Sequence, residues 1–392
     1  MRIGLSVLVW VLIPLAHAFS LWSLGSKQDL LHLDDNEFGK PYAHIRPKVV
    51  IVSMFTWEQI PWFEAIDFHH NVTVPGMFYL FPHVRCNRDY SICQLTTGEG
   101  DINAASTLTA FALSPKFDLS KTYFLIAGIG GGEPHLTTLG SVTFAKYAIQ
   151  VALEHEVAYQ DYSEAHPDWP VGYFAYGSKD PWSYPANAYG TEVFELNENL
   201  RDRAVQLAQN IPLHNGSEAN HEFRQLYEQP VAKSLPQIVK CDVLTSDAYW
   251  SGATLGDYFS DYARMMTNGS AEYCAAALED NASLQVFVRM HLIKLVDFSR
   301  VIVMRTILNF VRPPPLYAHD TVKFFTGVSQ GGIEGATANL VRAGMPIIND
   351  ILTNWYSEYE LGLKYSPTNY IGDIFGTLGG EADFGRADFI EA

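Results

Sequence analysis

Thr96-Thr97-Gly98-Glu99-Gly100-Asp101-Ile102-Asn103-Ala104-Ala105 and Tyr123-Phe124-Leu125-Ile126-Ala127-Gly128-Ile129-Gly130-Gly131-Gly132 decide the fold. In each, glycines close an apolar run, and a glycine turn lacks the Cβ that would hold a ligand away from backbone N–H groups. Asn103 to Ala110 then opens as a helix, and the second turn leads to Leu139-Gly140-Ser141-Val142-Thr143-Phe144-Ala145, which reads as a strand. The order strand, glycine turn, helix, strand, glycine turn, strand is that of an α/β sheet, where ligands sit outside the carboxyl ends of the strands.

Working outward, strands are expected at Val49 to Val52, Ile92 to Leu95, Tyr123 to Ala127, Ser141 to Ala148, Val239 to Leu244 and Val301 to Met304, with helical patterns between many of them. This alternation predicts one α/β domain over residues 47–392. Residues 159–188 are rich in Tyr, Trp, Pro and Asp without a period. They read as a loop insertion, a candidate lid or subunit interface.

Arg2, the apolar run Ile3 to Leu15 and Ala16-His17-Ala18 read as a secretory signal over residues 1–18, with an uncleaved anchor as the alternative, and residues 19–46 as a polar N-terminal extension. The expected location is secreted or at the cell surface. Spanning a bilayer takes about 20 apolar residues, and no segment after the signal offers them, which disfavours a pore. Four cysteines suit an oxidising compartment: a local disulfide between Cys86 and Cys93 closes a polar turn and leaves Cys241 with Cys274. No Cys-x-x-Cys occurs and Glu154-His155-Glu156 lacks the second histidine of a zinc helix, so no metal is expected. Asn71, Asn215, Asn268 and Asn281 head glycosylation acceptors, with Asn281 expected unmodified because it lies in a functional segment. A net charge of −17 without a compensating basic cluster repels nucleic acid.

Gly327-Val328-Ser329-Gln330-Gly331 has the form of a serine nucleophile elbow, with Val322 to Phe325 before it. The triad of that fold runs serine, acid, histidine, and the last histidine, His319, precedes Ser329. A glycine-rich helix start is therefore the expectation. Glu279 and Asp280 offer a carboxylate that can pair with the Arg305 guanidinium on an adjacent element and then accept from the vicinal hydroxyls of a ribose, with a structural ion pair as the alternative.

These segments together resemble the nucleoside phosphorylase and nucleosidase superfamily. Thr96 to Ala105 is similar to its Thr-Ser-Gly-x-Gly-x-x-Asn-Ala-Ala segment, and Gly128-Ile129-Gly130-Gly131 to its Gly-x-Ala-Gly-Gly turn. Thr245-Ser246-Asp247-Ala248-Tyr249 resembles its purine-stacking segment, Leu278-Glu279 its Met-Glu ribose position, and Arg305-Thr306-Ile307-Leu308-Asn309 its Arg-x-x-Ser-Asp. More closely, the chain resembles the fungal purine nucleoside permease family, in Asp118 to Gly128, Tyr189-Gly190-Thr191-Glu192-Val193-Phe194-Glu195 and Arg312-Pro313-Pro314-Pro315 among others. That family's name implies nucleoside uptake, which a chain without spanning segments cannot itself conduct through a bilayer.

The resemblance implies a three-layer nucleoside phosphorylase-like α/β fold with a central mixed sheet flanked by helices, a purine nucleoside as partner, no cofactor and a homo-oligomer. It implies substrate binding by Thr97, Gly98, Gly130, Gly131, Tyr249, Trp250, Glu279 and Arg305. The arginines with which phosphorylases hold phosphate are missing, whereas Glu58 in the turn after Val52 resembles the water-orienting glutamate of nucleosidases. Hydrolysis of the N-glycosidic bond with Glu58 and Asn309 as catalytic residues is therefore expected, with phosphorolysis or uptake without catalysis as alternatives. Two residues depart from the pattern: Leu308 replaces the usual serine, and Asn309 the usual aspartate, which points to a 6-oxopurine or else to weakened chemistry.

Overall fold

The computed structural model describes residues 44–382, 384 and 388–389. The expected signal and almost all of the N-terminal extension lie outside them. Strands in chain order are β1 (Val49–Ser53), β2 (Phe68–Thr73), β3 (His83–Asn87), β4 (Ile92–Thr96), β5 (Tyr123–Gly132), β6 (Val142–Phe144), β7 (Tyr147–Gln150), β8 (Glu154–Glu156) and β9 (Tyr173–Ala175). They continue with β10 (Asn187–Ala188), β11 (Val193–Glu195), β12 (Ile238–Lys240), β13 (Asp242–Thr245), β14 (Tyr273–Ala277), β15 (Val301–Phe310), β16 (Gly372–Asp373) and β17 (Asp388–Phe389). The main helices are α1 (Thr56–Ala65), α2 (Asp101–Ala112), α3 (Glu198–Ala208), α4 (Glu218–Arg224), α5 (Ala253–Met266), α6 (Asp280–Leu292), α7 (Thr321–Gly327) and α8 (Ile333–Thr353).

One mixed sheet runs β16-β11-β7-β13-β14-β5-β1-β4-β3-β2, with β15 joined to β5 and β6, and β12 to β6. The pairs β1–β4, β1–β5, β5–β15 and β13–β14 are parallel, whereas β5–β14, β6–β15 and β2–β3 are antiparallel. Side chains alternate across a strand, so a strand apolar throughout must be covered on both faces. Val50, Val52, Phe124, Ile126, Val301 and Val303 pack with Leu108 and Phe111 of α2 and Leu284 and Phe287 of α6. Their neighbours Val49, Ile51, Leu125, Ala127, Ile302 and Met304 pack the other way, with Trp62 of α1, Leu200 of α3, and Leu340 and Ile347 of α8. The fold is a three-layer α/β arrangement with a central mixed sheet between helices.

Local expectations need correction at several points. Gly128 to Gly132 is not a turn but the second half of β5, paired with β15 and β14. The expected strand 141–148 breaks between β6 and β7, and 239–244 between β12 and β13, because β6 pairs with β12 and β7 with β13. Asp242 holds that break: one carboxylate oxygen accepts the N–H groups of Lys146 (3.0 Å) and Tyr147 (2.8 Å), and the other that of Glu272 (2.8 Å). Strands β2, β3 and β14 had not been expected. Val322 to Phe325 is helical, and the exposed Ser329 sits in the link to α8, which starts at Ile333 after Gly331-Gly332 in keeping with the expected glycine-rich helix start. The segment 159–188 holds a helical turn at Tyr159–Tyr162 and β9, which pairs with β8.

Both expected disulfides are present. Asn281 is buried, its amide accepting from the Thr245 hydroxyl (2.8 Å) and donating to the Thr191 carbonyl (2.6 Å), whereas Asn71 and Asn268 are exposed. Among the described residues no helix is long and apolar enough to cross a membrane.

Candidate functional site

Where β1, β13 and β14 end, a cavity of about 260 Å³ opens against the glycine half of β5 and the end of β15. Of the expected site residues, Glu58, Gly130, Gly131, Tyr249, Trp250, Glu279, Arg305 and Asn309 line it. Thr97 and Gly98 do not. Thr97 is buried, donating its amide to Ser53 (2.9 Å) and its hydroxyl to the Gly98 carbonyl (2.8 Å). Gly98, at φ 83°, packs under the Phe78 ring. These two residues shape the turn, and its wall residue is Glu99, which no spacing singles out.

Glu58 is the third residue of α1, and the short link from β1 sets that first turn so that its side chain reaches back to Met54, just after β1, and to Ile129 of β5. It is 2 % exposed, so it is no solvated carboxylate on the helix surface. One oxygen accepts from the Met54 N–H (2.6 Å) and the other from the Ile129 N–H (2.7 Å). Burial pushes its pKa up to about 8, against the Arg305 guanidinium and the two N–H groups, while the Glu279 charge adds to the rise. Gly128 is required here: a Cβ on it would fall 2.4 Å from Met54 Cε, 2.5 Å from Arg305 Nη1 and 2.7 Å from Glu58 Oε1.

Arg305, buried on β15, grips Asp280 with two hydrogen bonds, Nε at 3.1 Å and Nη2 at 2.7 Å. It reaches Glu279 only at 3.4 Å and donates Nη1 to the Ile129 carbonyl at 3.1 Å. Of the two carboxylates expected to pair with Arg305, Asp280, the first residue of α6, therefore takes most of the guanidinium. Glu279 is left to face the cavity, accepting from the Gly100 N–H at 3.0 Å. Burial raises its pKa, opposed by Arg305 and by that N–H. Behind it Asp101 is pushed to about 7 by burial and by the charges of Asp247, Glu279 and Asp280. Arg305 is the single Lys or Arg on the cavity wall among the described residues, and carboxylates already hold it.

The opposite wall follows β13. Asp247 accepts the Asp101 N–H (2.9 Å), tying this loop to the start of α2. Tyr249 stands 69 % exposed at the cavity mouth, which is not core packing. Trp250 lies edge-on to Phe259, with ring centres 4.8 Å apart. On β15 the register slips between Ile307 and Asn309, so Leu308 is the extra residue of a bulge, which re-aims the side chains beside it. Asn309 donates its amide to the Phe310 carbonyl (3.2 Å) and Leu308 also reaches the cavity.

Among solved structures, the futalosine hydrolase of Helicobacter pylori is similar over 78 % of this chain and 98 % of its own, at 13 % identity and a TM-score of 0.47. A purine nucleoside permease of Candida albicans is 54 % identical over 352 residues, 90 % of this chain and 86 % of that protein. A probable purine nucleoside permease of Schizosaccharomyces pombe is 36 % identical over 319 residues, 79 % of this chain and 90 % of its own. The family profile described as purine nucleoside permease (NUP) matches residues 46–364. On that match and these identities, the chain belongs to the purine nucleoside permease family.

Proposed function

We propose that the chain binds purine nucleosides in this cavity and hydrolyses their N-glycosidic bond. Glu279 accepts the ribose hydroxyls and the base lies against Tyr249 and Trp250. Water held by Glu58 attacks the anomeric carbon as the bond to the base breaks, the electron pair leaving with the purine. Glu58 takes the water's proton, and Asn309 steadies the departing base by hydrogen bonding, while solvent supplies the proton the base gains.

The observation that carries this reading is Glu58: a buried carboxyl with both oxygens fixed by backbone N–H groups and a pKa of about 8, near the pH at which a general base works best. Hydrolysis is favoured over phosphorolysis because Arg305 is engaged by Asp280 and Glu279, leaving no free cation on the wall, among the described residues, for a phosphate. A second reading, nucleoside binding for uptake without cleavage, is favoured by the names of the relatives and by an amide at Asn309 where chemistry would gain from an acid. In either reading we place the protein on the secretory route.

Incubation with inosine, guanosine and adenosine, with and without phosphate, tests this. Free base plus free ribose in phosphate-free buffer is expected. A strict need for phosphate would overturn hydrolysis, and binding without any product would leave the uptake reading.

A further inference from the structure

We infer that the base end of the site continues into a second cavity that receives an apolar group carried on the purine, so that base-substituted nucleosides are preferred ligands. This rests on the nucleoside reading above. The second cavity, of about 410 Å³, shares Ser246, Ala248, Tyr249, Trp250 and Phe325 with the first. Glu58, Glu279 and Arg305 are not on its wall. It therefore abuts the site on the side away from Glu58 and Glu279, toward Tyr249 and Trp250, where the nucleoside reading places the base.

Its remaining surface is apolar where it matters. Val151 follows β7, Leu255 and Phe259 come from α5, and Val322 from α7. Helix α7 stands close to the loop after Trp250, with Thr321 Cγ2 only 3.5 Å from where a Cβ on Gly252 would be. Tyr249, Val322 and Phe325 are 69 %, 73 % and 42 % exposed, three large apolar side chains around one concavity. Concave apolar surface of this kind is where ligands are bound. At the rim the Tyr173 hydroxyl donates to Glu156 at 3.0 Å.

The test is calorimetric binding of adenosine, N6-benzyladenosine and 5′-benzylthio-5′-deoxyadenosine to the purified full chain. Burial of a benzyl group, less the ordering of its rotors, gives about tenfold tighter binding of the N6-substituted ligand than of adenosine. Ala152→Trp and Thr326→Trp, which fill the second cavity from separate segments, should each remove that advantage and leave adenosine binding unchanged. No advantage for N6-benzyladenosine, an advantage for the 5′-substituted ligand instead, or an advantage that survives both variants would overturn the inference while nucleoside binding stands. Failure of adenosine and of inosine, titrated beside it, to bind would overturn the reading beneath it as well.

Discussion

At Glu58 two opposing influences act on one carboxyl group. Burial resists its charge, while Arg305 and two backbone N–H groups favour it, and burial wins, to a pKa of about 8 from an ordinary 4.5. If the carboxylate is the base, turnover rises with pH and levels off above about 8, followed as free base released across that range. Stability runs the other way. The folded state holds the proton more tightly than the unfolded chain, so this contribution is full below pH 4.5 and is lost as pH rises through 8. Glu58→Gln should lower turnover about 10²- to 10⁴-fold and flatten the fall of the melting temperature between those pH values. A flat rate profile in the parent would remove Glu58 from the chemistry. Glu279, Tyr249 and Asn309 were legible as motif positions. That Asp280 takes most of Arg305 was not, because adjacency along the chain does not tell which of two neighbouring carboxylates the start of a helix turns toward the guanidinium.

Among the elements, β5 shows why a glycine run misleads. Glycine is the residue of turns, but here it is needed because β14, more than a hundred residues later, crosses within van der Waals reach. A Cβ on Gly130 would fall 2.7 Å from the Ala276 carbonyl oxygen, a backbone atom that cannot rotate away. Gly130→Ala should therefore destabilise the protein by about 1–3 kcal/mol in urea unfolding. Gly327→Ala, with nothing within 4 Å of its Cβ, is the control and should shift stability by less than about 0.5 kcal/mol. Equal effects would mean that the approach of β14 is not what excludes a side chain. The same limit hid the two strand breaks: β6 and β7 read as one apolar run, and only the buried Asp242, whose partners lie on two separate segments, divides them. The strands that alternate apolar residues onto both faces, β1, β5 and β15, were legible because their own pattern demands helices on either side.

For the whole molecule, the disulfides differ in what they constrain. Cys86 and Cys93 are 7 residues apart, joining neighbours already paired in β3 and β4, whereas Cys241 and Cys274 are 33 apart. Chain entropy gives about 2.5 and about 3.7 kcal/mol for such loops. Replacing the second pair by alanine should accordingly lower the urea midpoint more than replacing the first.

Charge acts at the same scale and selects the ligand. The chain carries a net −17, and Glu99 and Glu279 are among its carboxylates on the cavity wall, whose one arginine is already paired. A nucleoside enters this field at no electrostatic cost, but a nucleoside 5′-phosphate brings two further negative charges to a wall without a free cation. AMP should therefore bind at least about tenfold more weakly than adenosine at about 10 mM salt, where fields reach roughly 30 Å. The gap should narrow near 150 mM, where screening shortens that reach to about 8 Å. Titration of both ligands at the two salt concentrations decides it. AMP binding as tightly as adenosine at low salt would require a cation at the site that the present arrangement of Arg305 does not supply.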